Sequence, residues 1–340
     1  LIEVKNLIKK YGDYLAVDDL SFSVGKGQIL GFLGPNGAGK STTMNILTGY
    51  ISATEGSVLI NGHDIFLEPE EAKKCIGYLP EIPPLYQDMT VKEFLDFVAD
   101  IKLVKKSEKS MMIDKIMNMT RISDVSDRLI KQLSKGYKQR IGLAQAIVGF
   151  PDVLIFDEPT VGLDPMQIIE IRDLIKELSK DHTIILSSHI LSEISAICDR
   201  VMIINKGKLI VSDTPDNLSK HIGGSHGIHL EVKGNGEIIK EALNSINEIT
   251  RVDMDIKHGD FVKVSIYSAE ENDIREAVFY ALSNARCPIM DMQSSRMSLE
   301  DIFLELTQSS DQKNSKKSGK KNKITMNLLG KSDSGNKEDK

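Results

Sequence analysis

Residues 34–42 read GPNGAGKST. They fit the pattern G-x-x-x-x-G-K-[ST], with Thr42 one place beyond it. The apolar run QILGFLG (28–34) precedes them, and the helical pattern KSTTMNILTGY (40–50) follows. A strand, a glycine loop and a helix in that order make a phosphate site. Glycines let the backbone over Gly34, Pro35, Asn36, Gly37, Ala38 and Gly39 wrap closely around phosphates, its N–H groups pointing inward. The helix beginning near Lys40 adds its positive end. Lys40 is placed to reach the β- and γ-phosphates of a nucleotide, and Ser41 to offer its hydroxyl to Mg²⁺.

A second segment supplies acids to match. VLIFDE (153–158) is a short, wholly apolar run ending in two carboxylates, the pattern of a strand buried on both faces. Asp157 at its end is placed to hold Mg²⁺, through water. Glu158, one residue on, points elsewhere and is the candidate general base for an attacking water. TIILSSH (183–189) reads as another buried strand and ends in His189. Ligand crevices in open α/β sheets lie at the carboxyl ends of parallel strands. That favours His189 as a donor to the γ-phosphate over a purely structural histidine.

LSKGYKQR (133–140) is short, basic and glycine-containing, and it lies far along the chain from the first loop. Ser134, Lys135 and Gly136 stand where a helix starts, so this is a second anion-binding element or an ordinary helix cap. One strand–loop–helix site already has enough donors on one side of a nucleotide. If both elements bind phosphate, the simplest geometry puts the second across the γ-phosphate in a partner copy.

Around these motifs, strand-like runs alternate with helical patterns from Leu1 to about Ile222, predicting a mostly parallel α/β sheet. AVDDLSFSV and GSVLINGHD alternate more and carry turn signals, so a small antiparallel sheet is expected there. From about 85 to 150 only helices are read, a helical insertion. Near residues 221–227 (HIGGSHG) the order changes to β-α-β-β-α-β over residues 226–307, the ferredoxin-like arrangement, with SLEDIFLELT as a closing helix. Residues 308–340, rich in Lys, Ser, Asn and Gly, read as a disordered tail.

The chain is 340 residues with a net charge of −6, which gives no general attraction to nucleic acid. From Gln308 onward nine lysines face four acids, leaving −11 on the rest. Cys75, Cys198 and Cys287 have no metal-ligand spacing and read as buried small apolar residues of a reducing compartment. No apolar run approaches the length of a spanning helix, which predicts a soluble intracellular protein.

GPNGAGKST, LSKGYKQR, LIFDEPTVGLDP and SSH, in that order, resemble the ATP-binding subunit of ABC transporters over residues 1 to about 220. The resemblance implies an ABC-type P-loop fold that binds and hydrolyses ATP with Mg²⁺. It implies a head-to-tail dimer with an identical or paralogous subunit, in which Ser134, Lys135 and Gly136 act in trans. An integral membrane permease would be the other partner, placing the chain on the cytoplasmic face of the membrane; no nucleic acid is involved. Tyr11 matches the aromatic that stacks on adenine, and Asp164 of GLDP lies in the family's D-loop, with Pro165 suited to begin a helix. Two positions depart from the family. Lys135 replaces the usual glycine. Glu81, in GYLPE, stands where the family's Q-loop has glutamine, with Gln87 falling too late. GYLPE-type loops and the small C-terminal extension are similar to ATPases of ABC-2-type exporters, including the drug-resistance and gliding-motility branch. Importer ATPases, and chromosome-associated or ribosome-associated relatives, are the alternatives.

Overall fold

The computed structural model describes residues 1–221, 226–256, 261–268 and 273–296. The expected closing helix at 298–307 and the tail at 308–340 lie outside them. The chain divides into two compact units, Leu1–Leu218 and Ser219–Lys340.

The first unit begins with β1 (Ile2–Tyr11), β2 (Tyr14–Val24) and β3 (Ile29–Leu33). Then come α1 (Lys40–Leu47), β4 (Glu55–Ile60), β5 (His63–Asp64), α2 (Pro69–Lys74) and β6 (Ile76–Leu79). A helical stretch follows: α3 (Val91–Ile101), α4 (Lys106–Met119) and α5 (Lys135–Ile147), with two 3₁₀ turns between the last two. The unit continues through β7 (Val153–Asp157), α6 (Pro165–Leu178), β8 (Thr183–Ser188) and α7 (Leu191–Ser195). It ends in β9 (Arg200–Asn205), β10 (Lys208–Asp213) and α8 (Pro215–His221), which runs across the division between units.

The strands form two sheets. One is antiparallel, in the order β2-β1-β4-β5. The other, β10-β9-β3-β8-β7-β6, is parallel except for its edge strand β10. Every residue of β3, β7 and β8 is buried. That explains their unbroken apolar runs, since strands covered on both faces have no solvent side on which to alternate. The two sheets share one core: Ile2, Leu7 and Leu20 from the antiparallel sheet cluster with Leu30, Phe32 and Ile155 from the parallel one, all below 2% exposed. At about 25 cal/mol per Å² of apolar surface removed from water, burial of this cluster holds β3 and β7 in place on either side of β8.

The inserted helices start where the sequence signals them. Thr90 and Glu93 form a reciprocal capping box at α3, and Val91, Phe94, Leu95 and Val98 make its buried stripe. Ser134 caps α5 and Asp164 caps α6, whose first residue is Pro165.

In the second unit the described elements are β11 (His226–Lys233), α9 (Gly236–Asn244), β12 (Ile249–Ile256), β13 (Phe261–Ser268), α10 (Arg275–Asn284) and β14 (Ile289–Arg296). The antiparallel sheet runs β12-β13-β11-β14, the ferredoxin-like order. Ile239 and Leu243 of α9, with Val278 and Leu282 of α10, pack on Leu230, Val232 and Val264 of the sheet.

Cys198 and Cys287 are buried as their spacing suggested, but Cys75 is only partly covered. It caps the C-terminus of α2, where its thiol donates to the Glu71 carbonyl at 3.5 Å and the side chain packs on the edge of the core.

Candidate nucleotide site

The loop between β3 and α1 brings residues 36–42 to one side of a cavity of about 580 Å³. Gly39 holds its turn with φ +103°, and an added Cβ would lie 2.5 Å from the Ala16 carbonyl oxygen. Only glycine meets both conditions. The turn starts α1 at Lys40, so the helix N-terminus faces the cavity. Gly34 and Pro35 do not line it. Their carbonyls accept hydrogen bonds from Lys40 Nζ at 2.8 and 3.4 Å and so aim the ammonium.

Tyr11, Glu81, Glu158 and His189 close the other sides of the same cavity. Glu158 is reached through the register of the parallel sheet, one residue past the end of β7. Its Oε1 lies 3.4 Å from Lys40 Nζ and its Oε2 lies 2.8 Å from His189 Nδ1. Glu81 comes from the loop after β6. Gln87 does not reach the cavity; its carbonyl accepts the Lys131 N–H instead.

Asp157 sits behind the cavity, 3% exposed, and accepts a hydrogen bond from the Ser187 hydroxyl at 2.5 Å. Burial, and next the charge of Asp157, pushes the Tyr78 hydroxyl far above its ordinary value.

Oxygen donors are what Mg²⁺ takes. It keeps several waters and uses one or two protein carboxylates together with substrate phosphates. The Ser41 hydroxyl and the Asp157 carboxylate fit that requirement, and no cluster of three ligating side chains occurs among the described residues.

The site also holds residues that sequence reasoning passed over. Tyr14 lines the cavity opposite Tyr11, with which it pairs across the tight turn Gly12–Asp13, and its hydroxyl donates to the Gly37 carbonyl at 3.3 Å. The signal was in YGDY: two aromatics flanking a two-residue turn stand opposite each other. Ser187 and the buried trio Thr160, Ser188 and Glu193 were also missed. Both hydroxyls of the trio donate to Glu193 Oε2, at 2.5 and 3.1 Å, which joins the loop after β7 and the end of β8 to α7.

Ser134, Lys135, Gly136 and Asp164 do not line this cavity. They lie together at the starts of α5 and α6. A Cβ on Gly136 would lie 2.5 Å from Gln167 Oε1, and the Lys135 ammonium packs directly against Gly162, which turns with φ +71°. Ser134 and Lys135 are exposed, and Lys135 makes no ion pair among the described residues. The Ser134 hydroxyl accepts the Tyr137 N–H at 3.4 Å and Asp164 accepts that of Gln167 at 2.9 Å.

With this geometry in place, the family model described as "ABC transporter" matches residues 17–161. The chain is 36% identical over 310 residues to the uncharacterized ABC transporter ATP-binding protein YhcH of Bacillus subtilis, covering 90% of this chain and 96% of that protein. It is 31% identical over 308 residues to the linearmycin resistance ATP-binding protein LnrL of the same organism, covering 90% and 98%. Among solved structures, an ATP-binding subunit of an ABC transporter superposes with a TM-score of 0.61 at 31% identity, covering 66% of this chain and 93% of that one. No helix among the described residues is long and apolar enough to cross a membrane.

Proposed function

The chain belongs to the family of ABC transporter ATP-binding proteins, and we propose that it hydrolyses Mg-ATP to drive export through a separate membrane permease. One observation carries the reading: Lys40, Ser41, Glu81, Glu158 and His189, from four separate loops, converge on a single cavity. Phosphoryl transfer needs positioning and charge neutralisation more than covalent chemistry. Residues 36–42 hold the phosphates, Lys40 neutralises their charge, and Ser41 and Asp157 hold Mg²⁺. Mg²⁺ held by these residues would supply positive charge against that developing on the phosphates. Tyr11, with Tyr14 beside it, offers an aromatic face to the base. Glu158 takes the proton of the attacking water, and His189 donates to the γ-phosphate.

The segment Ser134–Gly136 and Asp164 serve a second copy. Ser134, Lys135 and Asp164 are exposed and contribute nothing to the cavity of their own chain, which supports a dimer closing in trans. The groove near Glu81 and α3 receives the permease, so the chain works at the cytoplasmic face of a membrane. The resistance named for LnrL, together with the ferredoxin-like second unit, supports export over import. Residues 1–222 form the ATP-binding domain in this reading and residues 226–307 an accessory domain.

The test uses Glu158→Gln, which binds ATP and hydrolyses it slowly. Capture of this variant with Mg-ATP from detergent-solubilised cells should recover a polytopic membrane protein in stoichiometric amount. Recovery of ribosomes or DNA-associated proteins alone, despite a stable ATP-bound dimer, would sink the transporter reading.

A further inference from the structure

Strand β8 ends in two serines whose side chains leave on opposite faces, because strand side chains alternate. One of them, Ser187, is completely buried and stands in register with Asp157 on the neighbouring parallel strand. Its hydroxyl has one proton to donate and lone pairs to accept with. The Glu158 backbone N–H takes a lone pair at 2.9 Å. An amide N–H can only donate, so the hydroxyl proton must point elsewhere. It points to Asp157 Oδ1 at 2.5 Å, the length of a hydrogen bond to a charged carboxylate.

One hydroxyl therefore touches both consecutive acids, each in a different way. Asp157 has Oδ1 committed to Ser187, which fixes the carboxylate plane and leaves Oδ2 outside that bond. Glu158 has its backbone held at φ +50°, a left-handed conformation unusual for a glutamate, and that conformation sends its side chain to Lys40 and His189. Asp157 and Glu158 are adjacent in sequence, yet their carboxylates serve different partners. The Ser187 hydroxyl is the group that separates them.

We propose that Ser187 is a positioning residue that orients Asp157 toward Mg²⁺ and, through the Glu158 amide, holds the turn from which the Glu158 side chain leaves. The proposal rests on the reading of Asp157 and Glu158 given above. Ser187 touches neither nucleotide nor cation and acts only through these two residues.

The experiment is a Mg²⁺ titration of fluorescent ATP-analogue binding to the full chain, in a cycle of wild type, Ser187→Ala, Asp157→Asn and the double variant. Ser187→Ala is expected to keep Mg²⁺-free nucleotide affinity and to raise the half-saturating Mg²⁺ concentration about tenfold, as loss of a residue that orients a metal ligand does. In the Asp157→Asn background the same change should have no further effect, because the interaction it removes is already gone. An unchanged Mg²⁺ curve for Ser187→Ala, or fold-changes that simply multiply in the double variant, overturns the proposal. A wild-type curve for Asp157→Asn itself would overturn the reading beneath it instead. If Ser187→Ala does not fold by circular dichroism, Ser187→Cys, close in size but a weak donor, takes its place in the same cycle.

Discussion

Lys40 and Glu158 form an ion pair, Nζ to Oε1 at 3.4 Å, with both side chains more than nine-tenths buried. The lysine and the glutamate to which the proposed function gives phosphate and water thus hold each other. In the proposed function an incoming γ-phosphate competes with Glu158 for the ammonium, and its success would free the carboxylate for the water. Glu158→Gln removes the competing charge and the proton acceptor together. ATP affinity is expected to rise about threefold to tenfold, while the turnover rate falls about 10²- to 10⁴-fold, the usual worth of a positioned general base. Equilibrium binding of a fluorescent nucleotide and phosphate release measure the two effects separately. A variant that binds ATP more weakly would contradict the competition.

His189 holds the other oxygen of the same carboxylate through Nδ1 at 2.8 Å. That bond fixes the ring and leaves its second nitrogen for the γ-phosphate contact that the proposed function assigns to it. His189→Ala should leave nucleotide affinity nearly intact and reduce turnover about 10²-fold or more, as loss of a donor to developing charge does. Single-turnover hydrolysis distinguishes this from a binding defect. A loss of affinity as large as the loss of rate would make His189 a binding residue only.

The parts of this site legible in the sequence are those whose chemistry sits in consecutive residues. The glycine loop, the acids at the end of β7 and just past it, and the histidine just past β8 each announce themselves by an apolar strand followed by a polar group. The cap at Ser134 and the helix start at Pro165 were readable for the same reason, since a helix start is a local event. Ser187 was not, because its role depends on strand register: only the parallel pairing of β7 and β8 places its hydroxyl beside Asp157. The Glu193 carboxylate is likewise explained by Thr160 and Ser188, of which Thr160 lies 33 residues away. Lys135 is intermediate. Its place at a helix start was visible, but its packing on Gly162 required α5 and α6 to be brought together.

Lys102, just past α3, donates to the Ala146 and Val148 carbonyls at 3.2 and 2.7 Å beside the groove that also holds Tyr78 and Gln145. Burial lowers its ammonium to about 8. The folded value lies below the unfolded one, so between the two the unfolded chain binds more protons. Stability should therefore rise with pH from about 8 toward the ordinary lysine range, and be lowest in this respect below 8. Urea unfolding of the wild type and Lys102→Met across pH 7 to 10 tests the sign. The difference between the two proteins should shift in favour of the wild type as pH rises, and a shift in the opposite direction would exclude this protonation behaviour.

Gly39 and Gly37 both have positive φ, +103° and +80°, but they differ in what surrounds them. A Cβ on Gly39 would lie 2.5 Å from the Ala16 carbonyl oxygen, a backbone atom that cannot move aside without distorting β2. A Cβ on Gly37 would meet nothing within 4 Å. Alanine at either position incurs backbone strain of about 1–3 kcal/mol. Only at Gly39 does overpacking add to it, by about another 1–3 kcal/mol. Thermal unfolding without nucleotide should therefore rank wild type above Gly37→Ala and Gly37→Ala clearly above Gly39→Ala. Nucleotide binding should fail in Gly39→Ala even where the chain is folded, because the displaced turn carries the start of α1 and with it Lys40. Equal destabilisation of the two variants would show that strain alone decides the glycine at 39, and that the Ala16 carbonyl gives way.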